Sequence, residues 1–76
     1  MEKTYRFTAT AFGKTFSRTS KRRDAFMCAA IYKTDEGDVL LLGFSRGYTL
    51  MGERVALLEE QTGFEVETVR AVVEEI

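Results

Sequence analysis

Residues 25–44, AFMCAAIYKTDEGDVLLLGF, decide the fold because two apolar runs flank a polar turn. The turn contains Gly37, which tolerates the positive φ that tight turns require. Each apolar run by itself is compatible with either a buried strand or a buried helix. The pair Ile31-Tyr32 and the turn that follows it favour strands. We therefore expect two paired strands over residues 26–33 and 39–44.

Before this pair, the first twenty residues predict a β-hairpin. Apolar and polar residues alternate over 3–11, which is typical of a half-buried strand. Gly13 supplies the turn, and the chain returns over 14–19 with Phe16 on the apolar face. The hairpin and the following pair together give four strands.

After the pair, residues 49–62 predict a helix. Thr49 is the predicted N-cap, and Gly63 is the predicted C-terminal stop. Three apolar residues recur at helical spacing: Met51, Val55 and Leu58. We expect this helical face to pack on the aromatic side of the hairpin, which carries Tyr5, Phe7 and Phe16.

The C-terminal segment leaves two alternatives open. Its β-branched residues, and the alternation of Phe64, Val66 and Thr68, favour a fifth strand over 65–74. Other apolar residues of the segment recur at helical spacing and fit a second helix. The sequence therefore predicts a single small α+β domain over residues 1–76. Its mostly antiparallel sheet carries one helix on one face, in the order ββββαβ, or ββββαα if the tail is helical.

The charged residues are divided unequally between the two halves of the chain. Residues 1–33 contain eight basic and two acidic residues, whereas residues 34–76 contain three basic and ten acidic residues. The net charge of the whole chain is only −1. Such a division predicts a dipolar surface, two faces for two partners or head-to-tail self-association, unless the two halves interleave in the fold. We also expect a free sheet edge, so a homodimer is possible.

Several classes of chemistry lack their residues in this sequence. The chain has one cysteine, Cys28, and no histidine, which excludes an internal disulfide and the common zinc ligand sets. No nucleophile elbow and no phosphate-binding glycine loop is present. We predict no catalytic residue, no cofactor and no metal, and a buried thiol at Cys28. Nothing resembles a targeting segment or a membrane span, so we expect a cytoplasmic protein without a membrane partner.

A basic segment is the first candidate binding site. Five basic residues fall within ten positions without an acidic residue between them: Lys14, Arg18, Lys21, Arg22 and Arg23. Serine and threonine residues between them would add hydroxyl groups suited to phosphate contacts. The segment is typical of a surface that binds nucleic acid or an acidic protein. The alternative interpretation is that these charges protect an edge strand from pairing with another chain.

Arg46 and Tyr48 form a second candidate in the loop before the helix. An exposed tyrosine beside an arginine is a combination enriched in the hot spots of interfaces. The alternative that we favour from the sequence is that Tyr48 packs under the start of the helix.

The N-terminal half resembles a loose group of short proteins from phages and actinobacteria. In that group, a hairpin ending in Arg-Thr-Ser precedes a basic residue and an aromatic-led apolar strand. The corresponding residues here are Arg18-Thr19-Ser20, Arg22 and the run 26–31, with two extra residues before the run. The resemblance implies a strand over 26–33 and a helix followed by a strand at the end. It implies no activity, but it favours a phage accessory protein.

Two functional hypotheses follow from these observations. The first is a small non-enzymatic protein that binds and inhibits a host protein, as phage inhibitors of CRISPR systems and of other defences do. The second is a small nucleic-acid-binding module that uses the basic segment 14–23. The two differ in their response to salt, because phosphate contacts weaken steeply as the salt concentration rises.

Overall fold

The structure, a computed structural model, describes residues 2–76. Within them the chain forms six strands and one helix: β1 (Tyr5–Ala11), β2 (Lys14–Ser20), β3 (Cys28–Lys33), β4 (Val39–Ser45), α1 (Tyr48–Thr62), β5 (Glu65–Arg70) and β6 (Val72–Glu75). This order confirms the small α+β class. The C-terminal segment is extended, as its β-branched residues predict, and the helical alternative is wrong.

The strands form two antiparallel sheets rather than the single sheet expected from the sequence. The first sheet has the order β2-β1-β6, and the second has the order β4-β3-β5. The C-terminal segment joins them, because β5 pairs with β3 whereas β6 pairs with β1. Between these strands, the backbone N–H of Ala71 donates to the carbonyl oxygen of Met27 at 3.0 Å. The predicted fifth strand is therefore divided between two sheets.

The inner faces of the two sheets enclose the main core. Its buried members are Phe7, Ala9 and Ala11 from β1, with Ala29, Ile31 and Phe44 from β3 and β4. The ring of Phe26, which precedes β3, contacts Phe7 edge-on with 5.3 Å between ring centroids. It also lies 5.6 Å from the ring of Phe44. These aromatic contacts join the two sheets near the start of β3.

The helix covers the opposite face of the second sheet. Met51 is fully buried there against Cys28 and Ala30, and Leu42, Val55 and Val66 surround them. The expected packing of the helix on Tyr5, Phe7 and Phe16 is therefore wrong. The reason is the alternation of β3, whose successive residues face the first sheet and the helix in turn. Consequently the second sheet lies between the hairpin and the helix.

A β-bulge in β4 allows this strand to contribute residues both to the core between the sheets and to the apolar cluster below the helix. Ala30 pairs with Gly43 and Ile31 pairs with Leu41, so Leu42 is an extra residue in β4. Leu41 belongs to the core between the sheets, whereas Leu42 packs below the helix. Gly43 is buried under the guanidinium of Arg54, whose Nη1 lies 3.3 Å from the position that a Cβ would occupy. Arg54 thus joins the helix to β4 beside the bulge.

The two ends of α1 differ in how well the sequence predicts them. The N-cap is Gly47, with no side-chain cap, and not Thr49, which lies inside the first turn. Ser45 explains the difference, because its hydroxyl accepts a hydrogen bond from the N–H of Gly47 at 3.3 Å and ends β4 there. At the other end the prediction of Gly63 is confirmed. Gly63 has φ 72° and donates its N–H to the carbonyl of Glu59 at 2.8 Å.

Candidate binding surface

One end of the second sheet gathers several arginines from loops and from the end of β5. The N–H of Met27 donates to the carbonyl of Ser45 at 2.8 Å, and the carbonyl of Met27 accepts from Ala71. These bonds bring the connection before β3, the end of β4 and the end of β5 together. We call the following residues the basic end: Lys21, Arg22, Arg23, Arg46 and Arg70. Arg70 belongs to it because it is the register partner of Cys28 at the start of β3.

Asp24 organises two arginines of the basic end. Its Oδ2 accepts a hydrogen bond from Nη2 of Arg46 at 3.0 Å, and its Oδ1 lies 3.5 Å from Nε of Arg22. All three side chains are exposed, so each pair contributes at most about 1 kcal/mol to stability. These pairs matter for the positions of the side chains, because Asp24 holds two guanidinium groups from different loops beside each other. The backbone N–H of Arg22 also donates to the hydroxyl of Ser20 at 3.2 Å.

Lys21 and Arg23 flank this arrangement. The ammonium of Lys21 donates to the hydroxyl of Thr4 at 2.9 Å and lies 3.9 Å from a carboxylate oxygen of Glu2. Arg23 is exposed, and no ion pair with another residue of 2–76 involves it. The net charge of the basic end is therefore positive even after Asp24 is counted.

Lys14 and Arg18 lie on the inner side of the hairpin, and Arg18 reaches residues that adjoin the basic end. The guanidinium of Arg18 covers two aromatic rings of the core, at 5.7 Å from Phe26 and 5.6 Å from Phe44. The ammonium of Lys14 donates to the carbonyl of Val39 at 3.2 Å, near the far end of the second sheet. The hydroxyl residues Thr15, Ser17 and Thr19 alternate with them and face the other side of the sheet. The structure thus divides the basic segment 14–23 between the inner side of β2 and the connection before β3.

Two large apolar side chains are exposed at the basic end. Tyr48, the first residue of α1, is 53% exposed, and Met27 is 40% exposed. The expectation that Tyr48 packs under the start of the helix is therefore wrong, because Gly47 begins the helix and leaves Tyr48 on its outer side. Tyrosine, methionine and arginine are enriched at protein interfaces. Tyr48, Met27 and Arg46 supply this combination on adjoining loops.

The acidic residues collect at the opposite end of the second sheet. They come from the β3–β4 turn, the last turns of α1 and the start of β5: Asp35, Glu36, Asp38, Glu59, Glu60, Glu65 and Glu67. Lys33 lies among them, and the ammonium of Lys14 reaches the same end from the first sheet. In the first sheet two ion pairs reach β6, since Arg6 binds Glu74 at 2.9 Å and Lys3 binds Glu75 at 3.4 Å. The charges are therefore separated along the second sheet rather than by halves of the chain.

Cys28 is buried below the helix, as the apolar run predicts. Its thiol lies 3.7 Å from the carbonyl oxygen of Ser45. Burial raises the pKa of this thiol above its usual value, so the reactive thiolate is disfavoured. Residues 2–76 contain no group of three metal-ligating side chains, and no pocket opens among them. No helix in this range is long and apolar enough to cross a bilayer.

No protein-family model, curated protein or solved structure matches this chain. What the basic end binds is accordingly inferred from its own residues. The binding residues predicted from the sequence do not include Arg70 of the basic end, nor Asp24 and Met27 beside it. To predict that Arg70 belongs to this surface, one must know that the end of β5 lies beside the start of β3.

Proposed function

We propose that this protein is a non-enzymatic binding module that docks its basic end on an acidic surface of a partner protein. The observation that carries the proposal is the exposure of Tyr48 and Met27 beside Arg46 at one end of a polarised molecule. Apolar side chains that remain in water gain free energy when a partner covers them. A phosphate backbone alone would not require them.

The arginines and the apolar residues have different parts in this docking. The charges of the basic end steer an acidic partner towards it and favour that partner over basic proteins. Tyr48 and Met27 then provide the contact area that slows dissociation. Asp24 reduces the cost of binding, because it already holds the guanidinium groups of Arg22 and Arg46 in place.

We further propose that the docking is inhibitory and takes place in the cytoplasm of a host cell. A small module that covers part of a protein excludes that protein's natural ligands. The resemblance of residues 18–31 to short phage and actinobacterial proteins supports a phage accessory role, with a host protein of an anti-phage defence such as a CRISPR system as the target.

A nucleic-acid-binding module is the second candidate, and one observation favours it. The first turn of α1 opens towards the basic end and contains no acidic side chain. Free backbone N–H groups at a helix start bind phosphate, and Arg22, Arg23 and Arg70 would supply further phosphate contacts. Three such arginine contacts would weaken binding by roughly 40-fold between about 50 and 200 mM salt.

Charge reversal at the basic end tests the proposed docking. The immobilised protein is used to capture partners from a lysate of its host cells, beside the double variant Arg22→Glu/Arg23→Glu. We expect the variant to retain about tenfold less of the captured partner, because reversed charges repel an acidic surface. Quantitative mass spectrometry of the captured proteins measures the loss.

The matched control is Lys3→Glu/Lys33→Glu, which changes the net charge equally but lies outside the basic end. We expect this control to capture the same partner as the unmodified protein. Equal losses from both variants would show that only net charge matters and would contradict the proposal. Fluorescence anisotropy with labelled single- and double-stranded oligonucleotides separates the second candidate. Salt-sensitive binding that Arg22→Glu/Arg23→Glu abolishes would favour nucleic acid over a protein partner.

A further inference from the structure

The four edge strands of the two sheets differ in the charges that they expose. In β2 the charged residues are all basic, Lys14 and Arg18, and neither forms an ion pair within residues 2–76. In β6 both acidic side chains form ion pairs. β5 carries charges of both signs, and β4 has no charged residue and is partly covered by Arg54 of the helix. Among the described strands, β2 is therefore the edge whose unpaired charges favour a partner of one sign.

The backbone of β2 has free hydrogen-bonding groups along its outer edge. The carbonyl oxygen of Thr4 accepts from the N–H of Ile76 at 2.9 Å, so the even-numbered residues of β1 direct their backbone groups towards β6. The odd-numbered residues of β1 therefore bond to the even-numbered residues of β2. The outward backbone groups of β2 belong to the residues between them: Thr15, Ser17 and Thr19. All three are exposed, and in the described chain β2 pairs with β1 alone.

These backbone groups favour a strand as the ligand over a nucleic acid. Each outward N–H of an edge strand is accompanied by an outward carbonyl oxygen, and a carbonyl oxygen repels phosphate. A second extended backbone satisfies both groups at once, as in the recognition of peptides by β-strand addition. Charges on an edge strand oppose such addition, but an acidic strand neutralises Lys14 and Arg18. The same two charges therefore exclude most strands and admit an acidic one.

The inner side of β2 specifies which side chains the added strand carries. Lys14, Phe16 and Arg18 occupy alternate positions there. The guanidinium of Arg18 lies over two aromatic rings of the core, an arrangement that leaves its N–H groups free to donate. The ammonium of Lys14 uses one of its three donors on a backbone carbonyl of β4. Both cations therefore keep hydrogen-bond donors for a carboxylate.

Antiparallel addition to β2 defines a sequence pattern for the strand. The residues opposite Lys14, Phe16 and Arg18 form the pairs without hydrogen bonds, in which side chains approach each other most closely. An acidic residue is complementary to each basic residue, and an apolar residue is complementary to Phe16. The pattern is therefore two acidic residues four positions apart, with an apolar residue midway between them. No two acidic residues of this chain are four positions apart, so a second copy does not supply the strand.

We infer that the outer edge of β2 binds an acidic extended segment of another protein as an added strand of the first sheet. The two carboxylates of the segment contact Lys14 and Arg18, and its apolar side chain packs on Phe16. Its backbone bonds to the outward groups of β2. The inference goes beyond the proposed docking and does not depend on it, because the basic end contains no residue of β2.

Titration of the isotope-labelled protein with a synthetic peptide, followed by chemical shifts, tests the inference. The peptide contains the sequence Glu-Thr-Val-Thr-Glu, and the control peptide contains Lys-Thr-Val-Thr-Lys. When the acidic peptide binds, we expect the amides of Thr15, Ser17 and Thr19 to shift and to exchange more slowly with solvent. The control peptide should bind at least about tenfold more weakly, because its ammonium groups face Lys14 and Arg18.

Two variants separate backbone pairing from charge attraction. Ser17→Pro removes an outward N–H that β1 does not use, so the fold should persist while the acidic peptide binds at least about tenfold more weakly. Arg18→Gln leaves the backbone intact and should weaken the same peptide by roughly twofold to fivefold. The matched control is Lys3→Gln, because the ammonium of Lys3 pairs with Glu75 at the opposite edge of the first sheet. We expect this control to bind the peptide unchanged, and circular dichroism checks that each variant is folded.

The outcomes of this test are distinct from those of the proposed docking. Equal affinity for the two peptides, or no shift in β2, would overturn the inference. So would equal affinity of Ser17→Pro and the unmodified protein. Shifts confined to residues 21–28 and 45–48 would overturn it and favour docking at the basic end instead. Shifts of the β2 amides with an oligonucleotide, but not with the peptide, would overturn it in favour of a nucleic acid. Lysate capture by Arg22→Glu/Arg23→Glu tests the docking separately, since that variant leaves β2 unchanged.

Discussion

Replacement of Phe7 by alanine should destabilise the protein by about 3–5 kcal/mol, the largest effect that we expect from a single truncation. Phe7 is fully buried in the central strand of the first sheet, and its ring meets the edge of Phe26 at 5.3 Å. The substitution removes most of the apolar contact between the two sheets at this point. A domain of this size has a total stability of only about 5–15 kcal/mol, so the variant should be partly unfolded on warming.

Urea unfolding and thermal unfolding followed by circular dichroism measure this effect. Each kcal/mol lost should lower the melting temperature by roughly 4–8 °C in a domain of this length. Phe7→Leu is the graded control, because it keeps much of the volume and should cost less than about 1.5 kcal/mol. A loss below 1 kcal/mol for Phe7→Ala, at the level of an exposed position, would contradict the packing of the two sheets described above.

Truncation of Met51 should cost about 2–5 kcal/mol and should weaken the helix before the rest of the fold. Met51 is the buried residue of α1, and it contacts Cys28 and Ala30 on the second sheet. The other apolar residues of the helix are partly or largely exposed, so few contacts remain to hold α1 in place. Native-state hydrogen exchange of Met51→Ala should show the amides of α1 losing protection more than those of β1 and β3.

The control for this prediction is Glu53→Ala, on the exposed side of the same helix. Its effect should stay within about 0.5 kcal/mol, because the position has no buried contacts. Uniform loss of protection across strands and helix in Met51→Ala would show that the helix and the sheets unfold as one unit. That result would contradict the description of α1 as the less firmly attached element.

The sequence predicts the elements of this fold better than their arrangement. Alternation identifies the first hairpin, and Gly37 and Gly63 mark a turn and the helix end, because these signals are local. The division of residues 65–75 between two sheets has no local signal, since valines of one strand pair equally well with either neighbour. The sequence also leads to the wrong expectation that the hairpin packs under the helix, because the partner of an apolar face has no local signal either. Apolar alternation shows which residues are buried, but not which helix or sheet covers them.

The candidate binding surface was predictable only in part. The cluster Lys21-Arg22-Arg23 is visible as a basic segment, but its union with Arg46 and Arg70 depends on the pairing of Cys28 with Ser45 and with Arg70, which are distant in sequence. Arg18 belongs to the basic segment by sequence, yet its position on β2 points it at the rings of Phe26 and Phe44. Tyr48 was misplaced because the N-cap was assigned to Thr49 rather than to Gly47. The differences at Arg18, Arg46 and Arg70 originate in tertiary contacts, and the one at Tyr48 in the local cap of the helix.

The measurement that tests the central claim most directly is a chemical-shift map of the isotope-labelled protein during titration with its captured partner. If the basic end is the docking surface, the perturbed amides should cluster at residues 21–28, 45–48 and 70–71, with the side chains of Met27 and Tyr48 among the most affected. The amides of the acidic turn 35–38 should keep their shifts. Perturbations centred on the acidic end or on the outer face of the first sheet, with residues 21–28 unchanged, would contradict the account.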